Sequence, residues 1–300
     1  MSKVMRMVRR IVLTFLFAGV FTHCALAQNK SDTGPAPASF DRLVEVGGGR
    51  RLHINCSGVV AGGGPTVVLE SGAGNAASVW DRVQPEVAKF TRVCSYDRAG
   101  LGSSDPVPAP RTIVALTEDL HSLLVNAKVS GPYVLVGHSL GGILVRLYAS
   151  YYPREVAGMV LVDSAHEDEP DRGMALIPPD MLKEMLKQAR PEDLMLRSAE
   201  RIDGCSIRAV MNALNWRGEI PLIVLTQGQP YGPDMVVIPS IAAEAYRLHL
   251  ALQRELVSRS PRGRQVIAEK SGHLIHQDQP ELVITAIREV IEESKKRKAG

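Results

Sequence analysis

The sequence predicts an α/β fold in which a mostly parallel sheet is covered by helices on both faces. Short apolar runs of strand length alternate with amphipathic stretches through most of the chain. Most of these runs are apolar at successive positions, which is typical of strands buried on both faces of a parallel sheet. The 300 residues, 45% of them hydrophobic and 22% charged, suffice to bury a full core.

The predicted elements begin with a pair of strands, at residues 43–46 and 51–56, around the turn Gly47-Gly48-Gly49. Six apolar strands follow, at residues 66–69, 92–96, 133–136, 158–162, 222–226 and 265–268. Amphipathic stretches between most of them predict helices at residues 79–90, 113–127, 142–152 and 281–293.

One long interval, residues 163–221, shows no strand pattern and contains helical stretches at 179–189 and 192–201. This interval predicts a helical cap over the strand ends. The cap is expected as an insertion at about residues 165–219 and not as a separate domain. Because methionine is an adaptable packing residue, the methionines there could line a pocket for varied apolar groups or simply pack the insertion onto the body. They are Met174, Met181, Met185, Met195 and Met211.

The first 27 residues have the layout of a secretory signal peptide. Basic residues precede an apolar run at 11–21, and Ala25-Leu26-Ala27 offers a cleavage site. The run is shorter than the roughly 20 residues that span a bilayer, although an uncleaved anchor is the alternative. We expect export to the periplasm or the medium, a flexible leader at residues 28–39, and one domain at 40–295.

The charge of the chain gives no reason to expect a nucleic-acid partner. The predicted signal peptide holds four of the 35 basic residues and none of the 32 acidic ones, so the mature protein would be nearly neutral. Three cysteines remain after cleavage, and their spacing matches no metal site: Cys56, Cys94 and Cys205. We expect no metal and no cofactor, and no membrane span after cleavage. The sequence does not indicate an oligomeric state.

The strongest motif is Gly137-His138-Ser139-Leu140-Gly141, which follows a predicted strand and precedes a predicted helix. A serine on so sharp a turn is strained, and glycines on either side allow the chain to close. The helix that follows points its N-terminus at the serine, where it favours a developing anion. The motif therefore predicts that Ser139 is an activated nucleophile.

On this motif and its context, the chain resembles the α/β-hydrolase superfamily from about residue 42 to residue 293, and within it the esterase-type serine hydrolases with a helical cap. The resemblance implies an eight-stranded sheet and an acyl-enzyme mechanism. Dehalogenases and epoxide hydrolases of the superfamily place aspartate at the nucleophile position, so Ser139 disfavours those reactions.

The family's order of nucleophile, acid and histidine implies the other two members of a triad. The general base is expected at His273, in Ser271-Gly272-His273 after the last strand, while His276 is expected to help hold the loop. Asp163, directly after the strand at 158–162, is favoured as the acid over Asp234, although it could instead cap the first turn of the insertion.

The resemblance also implies the oxyanion hole and a disulfide. The backbone N–H groups of Leu140 and Ala73 are the expected oxyanion donors, and Glu70 is expected to brace the loop through nearby amides. The family's strand order makes the second and fourth strands antiparallel neighbours, which would bring Cys56 to Cys94.

These expectations amount to a serine hydrolase that acts on a small or medium, largely apolar carboxylic ester. A small-molecule acyl compound would be its substrate. Amide, lactone or thioester hydrolysis and perhydrolysis on the same triad remain open, because the fold does not fix the substrate. A ligand-binding member with negligible turnover is a further alternative.

Overall fold

An eight-stranded sheet forms the centre of the computed structural model. The structure describes residues 39–59, 64–107, 110–188, 199–204, 206–214, 216–230 and 238–299. The predicted signal peptide, Met195, Cys205 and Asp234 lie outside the described residues. Among those that are described, no helix combines the length and the apolar composition that a membrane crossing requires.

The sheet has the predicted strand count and is mostly parallel. In the order β1-β2-β4-β3-β5-β6-β7-β8, strands β1 and β2 form an antiparallel hairpin, β2 pairs antiparallel with β4, and the remaining pairs are parallel. The strands are β1 Phe40–Gly47, β2 Arg50–Ser57, β3 Thr66–Glu70, β4 Val93–Tyr96, β5 Tyr133–His138, β6 Val156–Val162, β7 Leu222–Gln227 and β8 Gly263–Ala268.

The described α-helices are α1 Gln84–Ala88, α2 Ile113–Asn126, α3 Leu140–Tyr151, α4 Glu169–Met174, α5 Pro179–Gln188, α6 Ser206–Leu214, α7 Ala242–Val257, α8 Ile275–Asp278 and α9 Pro280–Ala299. Helices α4, α5 and α6 lie between β6 and β7, within the predicted cap insertion. Helix α4 packs against α7, and α6 packs against α3.

Two helical predictions were incomplete. The predicted helix at 79–90 is divided into a 3-10 turn, Ala77–Trp80, and the short helix α1. Pro85 in the first turn of α1 has no backbone N–H to donate to a carbonyl of the preceding turn. The two helical pieces therefore do not join. The sixteen-residue helix α7 was not predicted, and it supplies a side chain of the site described below.

Alternate residues of the central strands enter two apolar layers, one on each face of the sheet. Leu135 of β5 lies in the layer beneath α2, whereas Val134 and Val136 lie in the layer shared with α9 and the fully buried Trp80. Two covered faces explain why these strands are apolar at successive positions.

The disulfide implied by the strand order is present. Cys56 and Cys94 occupy paired positions of β2 and β4, with a Cα–Cα distance of 4.1 Å, and they are bonded. The bond joins the outer hairpin to the strand that leads into the loop at residues 97–100.

Candidate active site

Ser139 occupies a sharp turn between β5 and α3. Its backbone lies at φ 52° and ψ −120°, a conformation that side-chain-bearing residues rarely adopt. The turn closes only because its neighbours are glycines: a Cβ on Gly137 would lie 2.5 Å from the Gly141 carbonyl oxygen, and one on Gly141 would lie 2.4 Å from that of Glu70. The structure thus has the strand–turn–helix context that the motif predicted.

The two expected oxyanion donors lie beside this turn. Leu140 is the first residue of α3, and Ala73 belongs to the loop after β3; both line the same cavity as Ser139. A Cβ added to Gly72 would lie 3.3 Å from the Ser139 Cβ atom, so this loop runs directly against the serine.

His273 and Asp163 are brought together across the carboxyl ends of the strands. The His273 Nδ1 atom lies 2.7 Å from the Asp163 Oδ2 atom. The other Asp163 oxygen, Oδ1, accepts the Gln227 N–H at 2.9 Å. Helix α4 begins only at Glu169, with Asp168 at its N-cap position, so Asp163 does not cap the insertion. The structure does not describe Asp234.

The ionised form of Asp163 is stabilised although the side chain is fully buried. Burial disfavours the carboxylate, but hydrogen bonds from His249 and His273 outweigh that effect and lower the pKa of Asp163 to about 2. A carboxylate that stays charged at neutral pH can orient and stabilise an imidazole.

A second histidine contacts the same carboxylate, and the sequence did not indicate it. His249 of α7 is 2% exposed, and its Nε2 atom lies 3.0 Å from the Asp163 Oδ1 atom. Its Nδ1 atom lies 3.2 Å from the Glu169 Oε1 atom, at the start of α4. Burial lowers the pKa of His249, yet the hydrogen bonds to these two carboxylates raise it to about 9.

Two further histidines lie close to His273. The His138 Nε2–H group donates to the His273 carbonyl oxygen at 2.9 Å, which ties the backbone of His273 to the residue before Ser139. His276 is buried between the rings of His138 and Trp80, at 4.4 and 4.8 Å. Burial and the neighbouring His273 lower the pKa of His276 to about 4, so its ring is neutral. This ring holds the loop by packing against Trp80 and His138.

The brace of the loop after β3 differs from the prediction. Glu70 does not bond nearby amides; its oxygens accept from Tyr96 Oη and from Arg98 Nη1. The Arg98 guanidinium, in turn, donates to the carbonyl oxygens of Ser71 and Gly72 at 2.6 and 2.5 Å. The buried Arg98 side chain therefore holds the loop by hydrogen bonds to its backbone carbonyl groups.

Glu200, which sequence reasoning missed, completes this brace from the cap segment. Its Oε1 atom accepts from Arg98 Nε at 2.5 Å, and its Oε2 atom accepts the Gly74 N–H at 2.6 Å. Glu200 lies 102 positions after Arg98, and nothing local in the sequence links the two.

A cavity of about 1020 Å³ opens at Ser139 under the cap helices. Besides Leu140 and Ala73, its walls include Met174 of α4 and Ile207 of α6. Each of the two predicted roles of the methionines has one example: Met174 lines the cavity, and Met211 is buried in the packing. Met181 and Met185 are exposed. Within the described part of the chain, no cluster of three or more side chains is arranged to hold a metal ion.

Comparison with known proteins agrees with this architecture. A model of the alpha/beta hydrolase fold family matches residues 65–269. The uncharacterized protein YqjL of Bacillus subtilis (strain 168) is 30% identical over 227 residues, which are 76% of this chain and 83% of YqjL.

Solved structures at lower identity share the fold. An esterase from Thermogutta terrifontis is 21% identical, with a TM-score of 0.57 over 86% of this chain and 99% of the esterase. An enol-lactonase from Burkholderia xenovorans LB400 is 20% identical, with a TM-score of 0.58 over 83% of this chain and 100% of the lactonase. Because the family match covers more than half of the 300 residues and runs from β3 past β8, the chain belongs to the α/β-hydrolase fold family.

Proposed function

We propose that the protein is an exported serine hydrolase that cleaves a small or medium, largely apolar carboxylic ester. The observation that carries this proposal is the 2.7 Å contact between His273 Nδ1 and the buried Asp163 carboxylate, at the same end of the sheet as the strained Ser139. A buried carboxylate, an imidazole and a serine on a nucleophile elbow are the parts of an acyl-transfer triad.

In the proposed mechanism, Ser139 Oγ attacks the ester carbonyl while His273 takes its proton. The Leu140 and Ala73 N–H groups hold the oxyanion, and Asp163 stabilises the imidazolium that forms. His273 then gives the proton to the departing alcohol, which leaves an acyl group on Ser139. Water attacks that acyl group with His273 as base, which releases the acid and restores the serine.

The cavity supports an apolar acyl substrate of modest size. Its volume of about 1020 Å³ fits a small molecule, and its walls carry Leu140, Met174 and Ile207. The Arg208 side chain also reaches it, but that guanidinium is engaged by Asp168 and Asp171 of the cap. A neutral ester therefore suits the site better than a carboxylate-bearing one.

Two observations support export. The first 27 residues have the layout of a secretory signal peptide, and the Cys56–Cys94 disulfide is of the kind that persists in oxidising compartments. Sequencing the N-terminus of the protein recovered from the periplasm or the medium would test this part directly. Cleavage after Ala27 is the expected result, and recovery only from the cytoplasm with an intact N-terminus would contradict it.

A fluorophosphonate probe tests the chemistry on the chain without residues 1–27. We expect a covalent adduct on Ser139, located by mass spectrometry, that is absent in Ser139→Ala and much slower to form in His273→Ala. Ser258→Ala and His121→Gln serve as matched controls, because both residues lie outside the site and should label as the wild type does.

Hydrolysis of p-nitrophenyl esters of increasing chain length, beside a lactone and an anilide, then defines the substrate class. Faster turnover of the short and medium esters than of the lactone and anilide is the expected pattern. A folded wild-type protein that neither labels nor hydrolyses any of these compounds would overturn the proposed function.

A further inference from the structure

His249 lies between two carboxylates, and this geometry favours its protonated form. Its Nε2 atom is 3.0 Å from an Asp163 oxygen, and its Nδ1 atom is 3.2 Å from a Glu169 oxygen. A carboxylate oxygen only accepts, so both ring nitrogens must carry a hydrogen to make these contacts. An imidazole with two N–H groups is an imidazolium cation.

We propose that His249 is a positioning residue for the triad: as a buried imidazolium, it holds the Asp163 carboxylate against His273 and links that carboxylate to Glu169 of the cap. This inference rests on the proposed function, because it assigns His249 a task toward His273. The cation does not touch the substrate; it acts through Asp163.

The contacts around Asp163 leave its carboxylate one orientation. Oδ2 faces His273, while Oδ1 receives both the Gln227 N–H and the His249 Nε2–H. Without His249, a single backbone N–H would hold Oδ1, and the carboxylate plane could turn about that bond. A turn of this kind would misalign the imidazole that depends on the other oxygen.

Helix α7 is anchored so that His249 reaches this position. Tyr246, one turn before His249, donates its hydroxyl to the Gln227 carbonyl oxygen at 3.3 Å. Gln253, one turn after it, donates to the Ser164 carbonyl oxygen at 2.7 Å. Residues spaced three and four apart share one face of a helix, so α7 presents one polar face to the segment that carries the acid.

The cation also changes the electrostatics at His273. Asp163 and His249 place charges of opposite sign next to His273, so each offsets part of the other's effect there. The other titratable groups that face His273 are His138 and His276, which burial keeps neutral. Those that face His249 include Asp163 and Glu169. His249 therefore places a positive charge next to the carboxylate that faces His273.

The experiment measures kcat/KM for p-nitrophenyl butyrate between pH 4 and 9, on the wild type and on the variants His249→Gln, Glu169→Gln and His121→Gln. Glutamine at 249 can still donate a hydrogen bond to Asp163 but carries no charge. We expect it to move the acidic limb of the profile to higher pH by about half a unit to one unit. The rate on the plateau should fall roughly tenfold, as the carboxylate loses part of its restraint.

Glu169→Gln should move the acidic limb in the opposite direction and by less, because it removes a negative charge while Asp163 keeps His249 protonated. His121→Gln is the matched control: His121 also pairs with a carboxylate, that of Glu155 at 3.3 Å, and it stacks on Tyr152 away from the site. Its profile should coincide with that of the wild type. Opposite shifts from the two site variants would not arise from packing damage alone.

A second readout does not depend on activity. Nitrogen-15 NMR of the His249 ring, assigned by comparison with His249→Gln, should show two protonated nitrogens at pH 7. A neutral ring at pH 7, or a fall in rate with an unmoved acidic limb in His249→Gln, would overturn the inference. If the wild type neither labels nor hydrolyses ester, the proposed function fails and the inference fails with it, while the NMR signal still reports whether the imidazolium bridge exists.

Discussion

Two ion clusters lie on opposite sides of Ser139, one buried throughout and one with Glu169 partly exposed, and they share one arrangement with different cations. The arginine cluster consists of Glu70, Arg98 and Glu200, and it holds the loop after β3. The histidine cluster consists of Asp163, His249 and Glu169, and it holds His273. In the sheet, β5 with Ser139 separates β3 and β4 from β6 and β7. Each cluster places one cation between two carboxylates.

The clusters differ in whether the cation can be lost. Burial disfavours the charged guanidinium of Arg98, but Glu70 and Glu200 outweigh that effect and raise its pKa further, so it stays charged at every working pH. The pKa of His249 is about 9, within reach of titration. The proposed oxyanion loop needs a fixed shape, and Arg98 provides it. The proposed acid, Asp163, has a neighbour in His249 whose charge depends on pH.

The largest expected effect comes from breaking the histidine cluster at its shared carboxylate. Asp163→Asn should lower kcat for ester hydrolysis by about 10³- to 10⁴-fold, because an amide can neither stabilise the imidazolium of His273 nor fix its tautomer. Asp105→Asn, which alters an exposed pair with Arg51, is the control and should leave kcat unchanged. More than a tenth of wild-type activity in Asp163→Asn would assign the acid elsewhere, with Asp234 the next candidate.

The next largest effect, on stability, comes from removing the cation of the arginine cluster. Arg98→Met leaves Glu70 and Glu200 buried without their cation, and it should lower the free energy of unfolding by about 3–5 kcal/mol. The comparison is Arg51→Met, whose exposed, solvent-screened pair with Asp105 should contribute far less. Urea denaturation of both variants measures the difference. Equal losses would show that burial does not distinguish the two arginines.

The two clusters should make folding stability respond to pH in different ways. The pKa of His249 is raised from 6.5 to about 9, so its contribution is fully present below pH 6.5 and is lost as the pH rises through 9. The stability difference between wild type and His249→Gln should therefore shrink between pH 6.5 and 10, by roughly 3 kcal/mol at most. The difference between wild type and Arg98→Met should not shrink over the same range, because burial raises the pKa of Glu70 even beside Arg98, and ionising the carboxylates without that cation costs the variant stability as the pH rises. A level His249 difference would contradict the raised pKa.

The parts of this site that the sequence predicted are those with a local signature. Ser139 sits in a glycine motif after an apolar strand, and His273 follows the last strand in a Ser-Gly-His turn. Parallel strands end at one edge of the sheet, so Asp163, after β6, was predictable at the same edge. The disulfide followed from the resemblance, because strand order determines which cysteines face each other.

The second contacts of each cluster were not predictable in this way. His249 meets Asp163 across 86 positions and Glu200 meets Arg98 across 102, and periodicity identifies which residues are buried but not what they touch. The prediction for Glu70 was wrong for the same reason. A buried glutamate needs a partner, but the sequence did not indicate that Arg98 would fill the position expected for backbone amides.

The smallest effect we predict separates the clusters by the kind of change that each produces. In Glu200→Gln, Arg98 keeps its pair with Glu70, but one side-chain oxygen must now serve donors that two oxygens served, among them the Gly74 N–H. The loop that carries Ala73 should shift slightly, and kcat should fall roughly tenfold, equivalent to about 1.4 kcal/mol of transition-state stabilisation.

The acidic limb of the pH profile of Glu200→Gln should not move, because Glu200 lies on the far side of β5 from His273. Glu169→Gln, by contrast, should displace the limb, because Glu169 pairs with His249. If Glu200→Gln displaced the limb as much as Glu169→Gln, the two clusters would be one electrostatic unit, and the division between a fixed side and a titratable side of Ser139 would be wrong.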